Sequence, residues 1–157
     1  MSITAVRAYL ARFGLDSKVL EFPVSSATVE LAAEAAGVIP ARIAKSLSFK
    51  VDGEAILIVT AGDAKVNNAK FKAAFHTKAK MLTPDEVTEM IGYAIGGVCP
   101  FGIKEGVKVY LDESMKRFDS VFPAAGSSNS AIELTCDQLE QVAQNCQGWG
   151  DFCKGWV

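Results

Sequence analysis

Two runs, Ser46-Leu47-Ser48-Phe49-Lys50-Val51 and Glu54-Ala55-Ile56-Leu57-Ile58-Val59-Thr60, are joined by Asp52-Gly53. Two β-forming segments separated by Asp-Gly are a strong hairpin signal, because the tight turn between them needs positive φ at both central residues. The second run is apolar almost throughout, which places it deep in a sheet. The first alternates. Ser46, Ser48 and Lys50 share a polar face, while Lys45, Leu47, Phe49 and Val51 share the other, where Lys45 alone breaks the apolar character.

Working outward from the hairpin, Lys18 to Phe22 reads as a short strand, and Thr28 caps a helix over Val29 to Ala36 with Gly37 just past its end. Ile3, Val6, Leu10 and Phe13 lie at helical spacing in the first 16 residues. Downstream, Asn67 to Phe75 reads as helix and Lys78 to Leu82 as strand. Thr83-Pro84-Asp85-Glu86 is a capping box opening a helix that runs to about Ile91. Val107 to Asp112, Asp119 to Ala125 and Ser130 to Thr135 read as strands. A second capping box, Thr135 with Gln138, precedes a helix over Cys136 to Gln144. Strands and helices mixed with hairpins predict an α+β fold around a mainly antiparallel or mixed sheet.

The chain has 157 residues, 50% hydrophobic and 22% charged, with a formal net charge of −2. That favours one domain spanning 1–157, with a C-terminal tail from about residue 145. It argues against a protein that binds nucleic acid by its overall charge. The N-terminal segment has no signal-peptide pattern, and the longest uncharged run, Met90 to Ile103, is broken by glycines and too short to span a bilayer. The expectation is a soluble, cytoplasmic protein with no membrane partner. The cysteines at 99, 136, 146 and 153 form no CxxC pair, and His76 is the one histidine, so no metal or other cofactor is expected.

Three features carry chemistry. Lys45 either snorkels to water from the strand end or sits at a pocket rim awaiting an anionic or carbonyl group. Between Asp63 and Asp85 there is no acid, while Lys65, Lys70, Lys72, Lys78 and Lys80 fall there with His76, a pattern read as a solvated face or a phosphate-contacting patch. The stretch Gly96-Gly97-Val98-Cys99-Pro100-Phe101-Gly102 is too rich in glycine and proline for a helix or a central strand. Its thiol raises the question of a cysteine nucleophile, but the sole base is His76 on a distant segment.

Lys45 after Ile43-Ala44, the segment Gly62-Asp63-Ala64-Lys65-Val66-Asn67-Asn68-Ala69-Lys70, the Gly96–Gly102 loop and the run from Ala124 to Thr135 together resemble the YbaK-type aminoacyl-tRNA deacylases. These are free-standing relatives of the editing domain inserted in bacterial prolyl-tRNA synthetases, and the resemblance covers roughly residues 1 to 143. It implies a partly closed mixed sheet of about six or seven strands with flanking helices. It also implies an enzyme that hydrolyses the ester linking a wrong amino acid to the 3′ end of a tRNA. The family's essential lysine falls on Lys45, its G-x-x-x-P loop on Gly96 and Pro100 with Gly97 beside them, its threonine on Thr28, its Gly-Asp turn on Gly62 and Asp63, and a further glycine on Gly126. On this reading the loop's backbone cradles the ester carbonyl, Val98 and Cys99 help to shape the pocket, and Lys65, Lys70 and Lys72 meet the tRNA. The partners implied are the tRNA acceptor end and an aminoacyl-tRNA synthetase. Many members carry a histidine shortly before the threonine; Phe22 to Ala27 contains none, which leaves the cleared amino acid open. A non-catalytic module of the same fold that binds tRNA ends or a nucleotide is the alternative.

Overall fold

A computed structural model describes residues 3–156; Met1, Ser2 and Val157 lie outside the described residues. In chain order the elements are α1 (Ile3–Ala11), β1 (Val19–Glu21), α2 (Val29–Ala36), β2 (Ile43–Val51), β3 (Glu54–Ala61), β4 (Lys65–Val66), α3 (Asn68–Phe75) and α4 (Pro84–Met90). There follow β5 (Lys108–Asp112), β6 (Ser120–Pro123), β7 (Ser130–Ile132), β8 (Leu134–Thr135), α5 (Cys136–Val142), β9 (Cys146–Gly150) and β10 (Cys153–Lys154).

The Asp52-Gly53 turn folds as its sequence requires, with φ of 51° and 79° at the two residues. It sets β2 against β3 in register from Ala44↔Ala61 to Val51↔Glu54. This hairpin is the centre of a six-stranded sheet of order β8-β6-β2-β3-β5-β9. Antiparallel ladders join β2–β3, β6–β8, β1–β7 and β4–β10, and parallel ones join β2–β6, β3–β5 and β5–β9. The fold is therefore the expected α+β one: the central sheet is mixed, and with the two small sheets counted four of the seven ladders are antiparallel.

Both faces of the sheet are covered. On the Phe49 side an aromatic cluster runs from Phe49 to Phe71 and Phe75 of α3, then to Tyr110 and Phe152, with centroid separations of 4.7–5.9 Å. The register puts Ser46 and Ser48 on the same side as Val59 and Leu57, which are fully buried. The polar face read from the alternation is thus interior: Ser48 is only 5% exposed. Lys50, on that side, reaches out to an ion pair with Glu86 of α4. A polar alternation signals solvent only where nothing packs above it, and the segment around α4 packs here.

Three segments depart from the sequence reading. Lys78–Leu82 forms no strand; it runs along the β2 edge with one bridge, Phe49↔Met81, while Lys50 N donates to Lys80 O (2.9 Å) and Leu82 N to Ser48 O (3.2 Å). Ser130–Thr135 is two strands divided at Glu133, the first pairing with β1 and the second with β6. The tail from residue 145 is built into the fold, since β9 adds to the sheet edge beside β5 and β10 pairs with β4. Phe152 is buried among Phe75 and Tyr110, and its N–H donates to the buried Asp112 carboxylate at 2.8 Å. Phe152→Ala is therefore expected to cost about 3–5 kcal/mol, measured by denaturant unfolding. A cost within the range of an exposed side chain would show the tail to be ornamental.

Candidate active site

The β2–β6 ladder contains only Ile43↔Phe122 and Ala44↔Pro123. Beyond Pro123 the chain leaves β2, and Ala124 bridges to Ala131 of β7 instead. From Lys45 until residue 48 no strand among the described residues lies beside the outer edge of β2, and a cavity of about 370 Å³ occupies the opening. Thr28 and Val29 at the start of α2, Lys45 and Ser46 of β2, and Gly96 and Val98 of the glycine-rich loop all line it.

Lys45 is half-buried at this opening, and its Nζ donates to the Gly62 carbonyl at 3.4 Å. Burial lowers its pKa from the ordinary lysine value, partly offset by Cys153, Asp63 and Glu30. Among the described residues no carboxylate forms an ion pair with it. Gly62 is required by close approach, since a Cβ there would lie 2.1 Å from the Pro40 carbonyl oxygen. Thr28 caps α2, its Oγ1 accepting from Leu31 N at 3.2 Å.

The loop divides by role. Gly96 and Val98 face the cavity, whereas Gly97, Cys99 and Pro100 do not line it. Gly97 lies against Gly126, so close that a Cβ would meet that residue's carbonyl carbon at 2.8 Å, and its own N–H is engaged with Ala94 O at 3.1 Å. Pro100 is buried and its carbonyl accepts from Gln144 N. Cys99 is fully buried, its thiol bonded to Phe101 O at 3.6 Å and its pKa pushed by burial up to about 12. The assignments of Cys99 and Gly126 to substrate contact are therefore corrected: both are packed behind the loop, where they brace it. His76 caps the C-terminal end of α3 and is exposed, so the Cys99–His76 nucleophile fails on burial and on the raised thiol pKa.

Two charged residues also turn out to be engaged. Asp63 is held by Arg117 through bonds of 3.0 and 2.6 Å, and that guanidinium keeps its carboxyl below the usual aspartate range. Lys70 donates to Asp151 (2.8 Å) and to the Cys153 carbonyl (2.9 Å), tying α3 to the tail rather than facing a ligand. Lys65 and Lys72 are exposed. Ser46, Ile43, Phe122 and Ala131 also line the cavity and were not singled out in the sequence. Ser46 alone had a local signal, being the hydroxyl next to the anomalous lysine. Among the described residues no three His, Cys, Asp or Glu side chains gather as a metal site, and no helix is long and apolar enough to cross a membrane.

A lysine at an opening in a mixed sheet, opposite a glycine-rich loop, defines a class that comparison with known proteins identifies. Residues 24–142 match the model of the aminoacyl-tRNA editing domain, and the chain belongs to that family. It is 53% identical to YwhH of Bacillus subtilis (strain 168), itself uncharacterised, over 99% of each chain. It is 30% identical over 119 residues to the proline–tRNA ligase of Bacillus licheniformis, covering 75% of this chain but only 20% of the ligase. The structure of a proposed trans-editing enzyme for prolyl tRNA synthetase superposes with a TM-score of 0.87 at 30% identity, over 98% of this chain and 97% of that one.

The bracing role of Cys99 has a direct check. Native protein treated with iodoacetamide at pH 8 should leave Cys99 unmodified, and prior denaturation should expose it, as read by peptide mass spectrometry. Rapid labelling of native Cys99 would restore the thiol as a reactive group.

Proposed function

We propose that this chain is a trans-acting hydrolase that clears a wrong amino acid from the 3′ end of a tRNA. Water adds to the ester carbonyl carbon, the tetrahedral oxyanion collapses, the bond to the ribose oxygen breaks, and that oxygen takes up a proton. The observation that carries this reading is the half-buried Lys45 ammonium, in no ion pair with a carboxylate among the described residues, at a cavity that Gly96 and Val98 also line.

A positive charge fixed at the rim of a partly dry cavity stabilises charge that develops on an ester oxygen more than the same charge in water does. Lys45 fills this role and also anchors the terminal phosphate or the carbonyl. Gly96 and Val98 supply backbone N–H groups at the same opening. Gly97 sets their position and is not itself a donor, because its N–H serves Ala94. The neighbouring ribose hydroxyl of the tRNA is pre-positioned to assist the attack. The exposed Lys65 and Lys72 meet the acceptor-stem phosphates. The likeness to part of the proline–tRNA ligases supports a synthetase-linked task for an independent chain.

Deacylation of tRNA loaded with alanine, serine, threonine or cysteine tests this directly. Wild type should release at least one of them, and Lys45→Ala should reduce kcat/KM by about 10²–10³-fold with the fold intact by circular dichroism. Binding of charged tRNA without release would favour the non-catalytic module. Release that survives Lys45→Ala would move the chemistry to another residue.

A further inference from the structure

Among the described residues, Asp63 at the turn after β3, Glu30 of α2, Lys65 of β4 and Cys153 of β10 act electrostatically on the Lys45 ammonium. Cys153 is buried and its thiol is pushed up to about 12, so it is uncharged at neutral pH. Of the two carboxylates, Asp63 acts more strongly than the exposed Glu30. Connectivity explains why. Lys45 Nζ donates to the Gly62 carbonyl at 3.4 Å, and across a trans peptide that oxygen lies about 2.8 Å from the next Cα. The Asp63 Cα is therefore within about 6 Å of the ammonium, a span short enough for an aspartate side chain to close. Gly62 packs so tightly on the Pro40 carbonyl that a Cβ has no room, which fixes this spacing.

The Lys45–Asp63 pair does not form. The Asp63 carboxylate is turned to Arg117 instead, its two oxygens accepting from Nη1 at 3.0 Å and Nη2 at 2.6 Å. This is the two-pronged geometry that a guanidinium offers and an ammonium does not. Arg117 is itself braced. Its Nε donates to Ser114 O at 2.8 Å, and its Cζ lies 4.9 Å from the Phe118 ring centroid and 5.0 Å from that of Trp156 in the tail. Ser114 Oγ in turn accepts from Ala61 N at 3.1 Å, so the short helical segment Glu113–Arg117 holds the chain on both sides of Gly62. A partly exposed ion pair adds little stability by itself, but it decides where a charge points.

We propose that Arg117 is a positioning residue of this site: by holding both oxygens of the Asp63 carboxylate it keeps that group from pairing with Lys45, and so leaves the ammonium to the substrate. The role rests on the deacylase reading above, in which Lys45 meets the ester or the phosphate. Without the guanidinium the carboxylate turns to the lysine beside it. It then raises the lysine pKa and competes with the substrate for the same charge.

The test is a double-mutant cycle of Arg117→Ala and Asp63→Asn with two readouts. One is kcat/KM for the aminoacyl-tRNA that wild type deacylates fastest. The other is the pKa of Lys45, followed by NMR on protein reductively methylated with isotope-labelled formaldehyde and assigned with Lys45→Arg. Arg117→Ala should raise the Lys45 pKa and lower kcat/KM by roughly ten-fold, the strength of one hydrogen bond to a charged group. Adding Asp63→Asn should return both towards wild type, because it removes the competing charge. If Arg117 only braced the turn, the double variant would be as impaired as Arg117→Ala, and that outcome overturns the proposal. Loss of the arginine charge by itself also raises the lysine pKa, and the cycle separates this effect. Asp63→Asn should shift Lys45 more without Arg117 than with it; an equal shift in both backgrounds means that the carboxylate never turns, which sinks the idea. Should Arg117→Ala not fold, Arg117→Lys, which keeps a charge but not the fork, takes its place and is read in the same way. If wild type hydrolyses no ester, the deacylase reading falls and the Lys45 pKa cycle alone decides whether Arg117 restrains Asp63. Release that depends on Lys45 but not on Arg117 sinks this proposal alone.

Discussion

A strand inside a sheet normally has its N–H and C=O groups committed on both sides. On its outer side β2 obeys this at Ile43 and Ala44, through β6, and again at Ser48 and Lys50, through the Lys80–Leu82 segment. Between these points no strand among the described residues pairs with that side. β6 ends at Pro123, which has no N–H with which to extend a ladder, and Ala124 is drawn to Ala131. The cavity and the access of Lys45 to it follow from that divergence.

The opening is tolerated because the rest of the hairpin is secured elsewhere. β3 runs beside β2 for its whole length, is paired to β5 on its other side, and carries Leu57, Ile58 and Val59 fully buried. The aromatic cluster from Phe49 to Phe152 fastens one face, and the segment that includes α4 closes the other with the Lys50–Glu86 ion pair. Around the rim, contacts that look chemical are mechanical. Arg117 holds Asp63, Lys70 holds the tail, and Cys99 and Gly97 seat the loop against the turn at Gly126. Among the described residues this leaves Lys45 in no ion pair, its ammonium bonded to a backbone carbonyl, which is the condition under which it can serve a ligand.

Much of the architecture was legible in the residues because the signals are local. Asp52-Gly53, the caps at Thr28, Thr83 and Thr135, and the apolar run of β3 each act within a few residues, and each appears where the sequence placed it. The misreadings concern partners distant in the chain. Lys78–Leu82 has strand-like residues but meets only a short piece of β2 edge, and Ser130–Thr135 is pulled to two different partners. The tail could not be recognised as β9 and β10 because Cys146-Gln147-Gly148-Trp149-Gly150 has little alternation of its own.

For the site, the sequence by itself determined that Lys45 was out of place and that the Gly96–Gly102 loop had to be irregular. Both are properties of a residue against its immediate pattern. The tertiary structure alone decided which loop residues face the cavity, and that Asp63, Lys70 and Cys99 are committed to the protein. Those outcomes depend on which segments pack above and beside β2. Hydrogen-bond satisfaction is a balance over all neighbours in space, and one strand's sequence does not contain them.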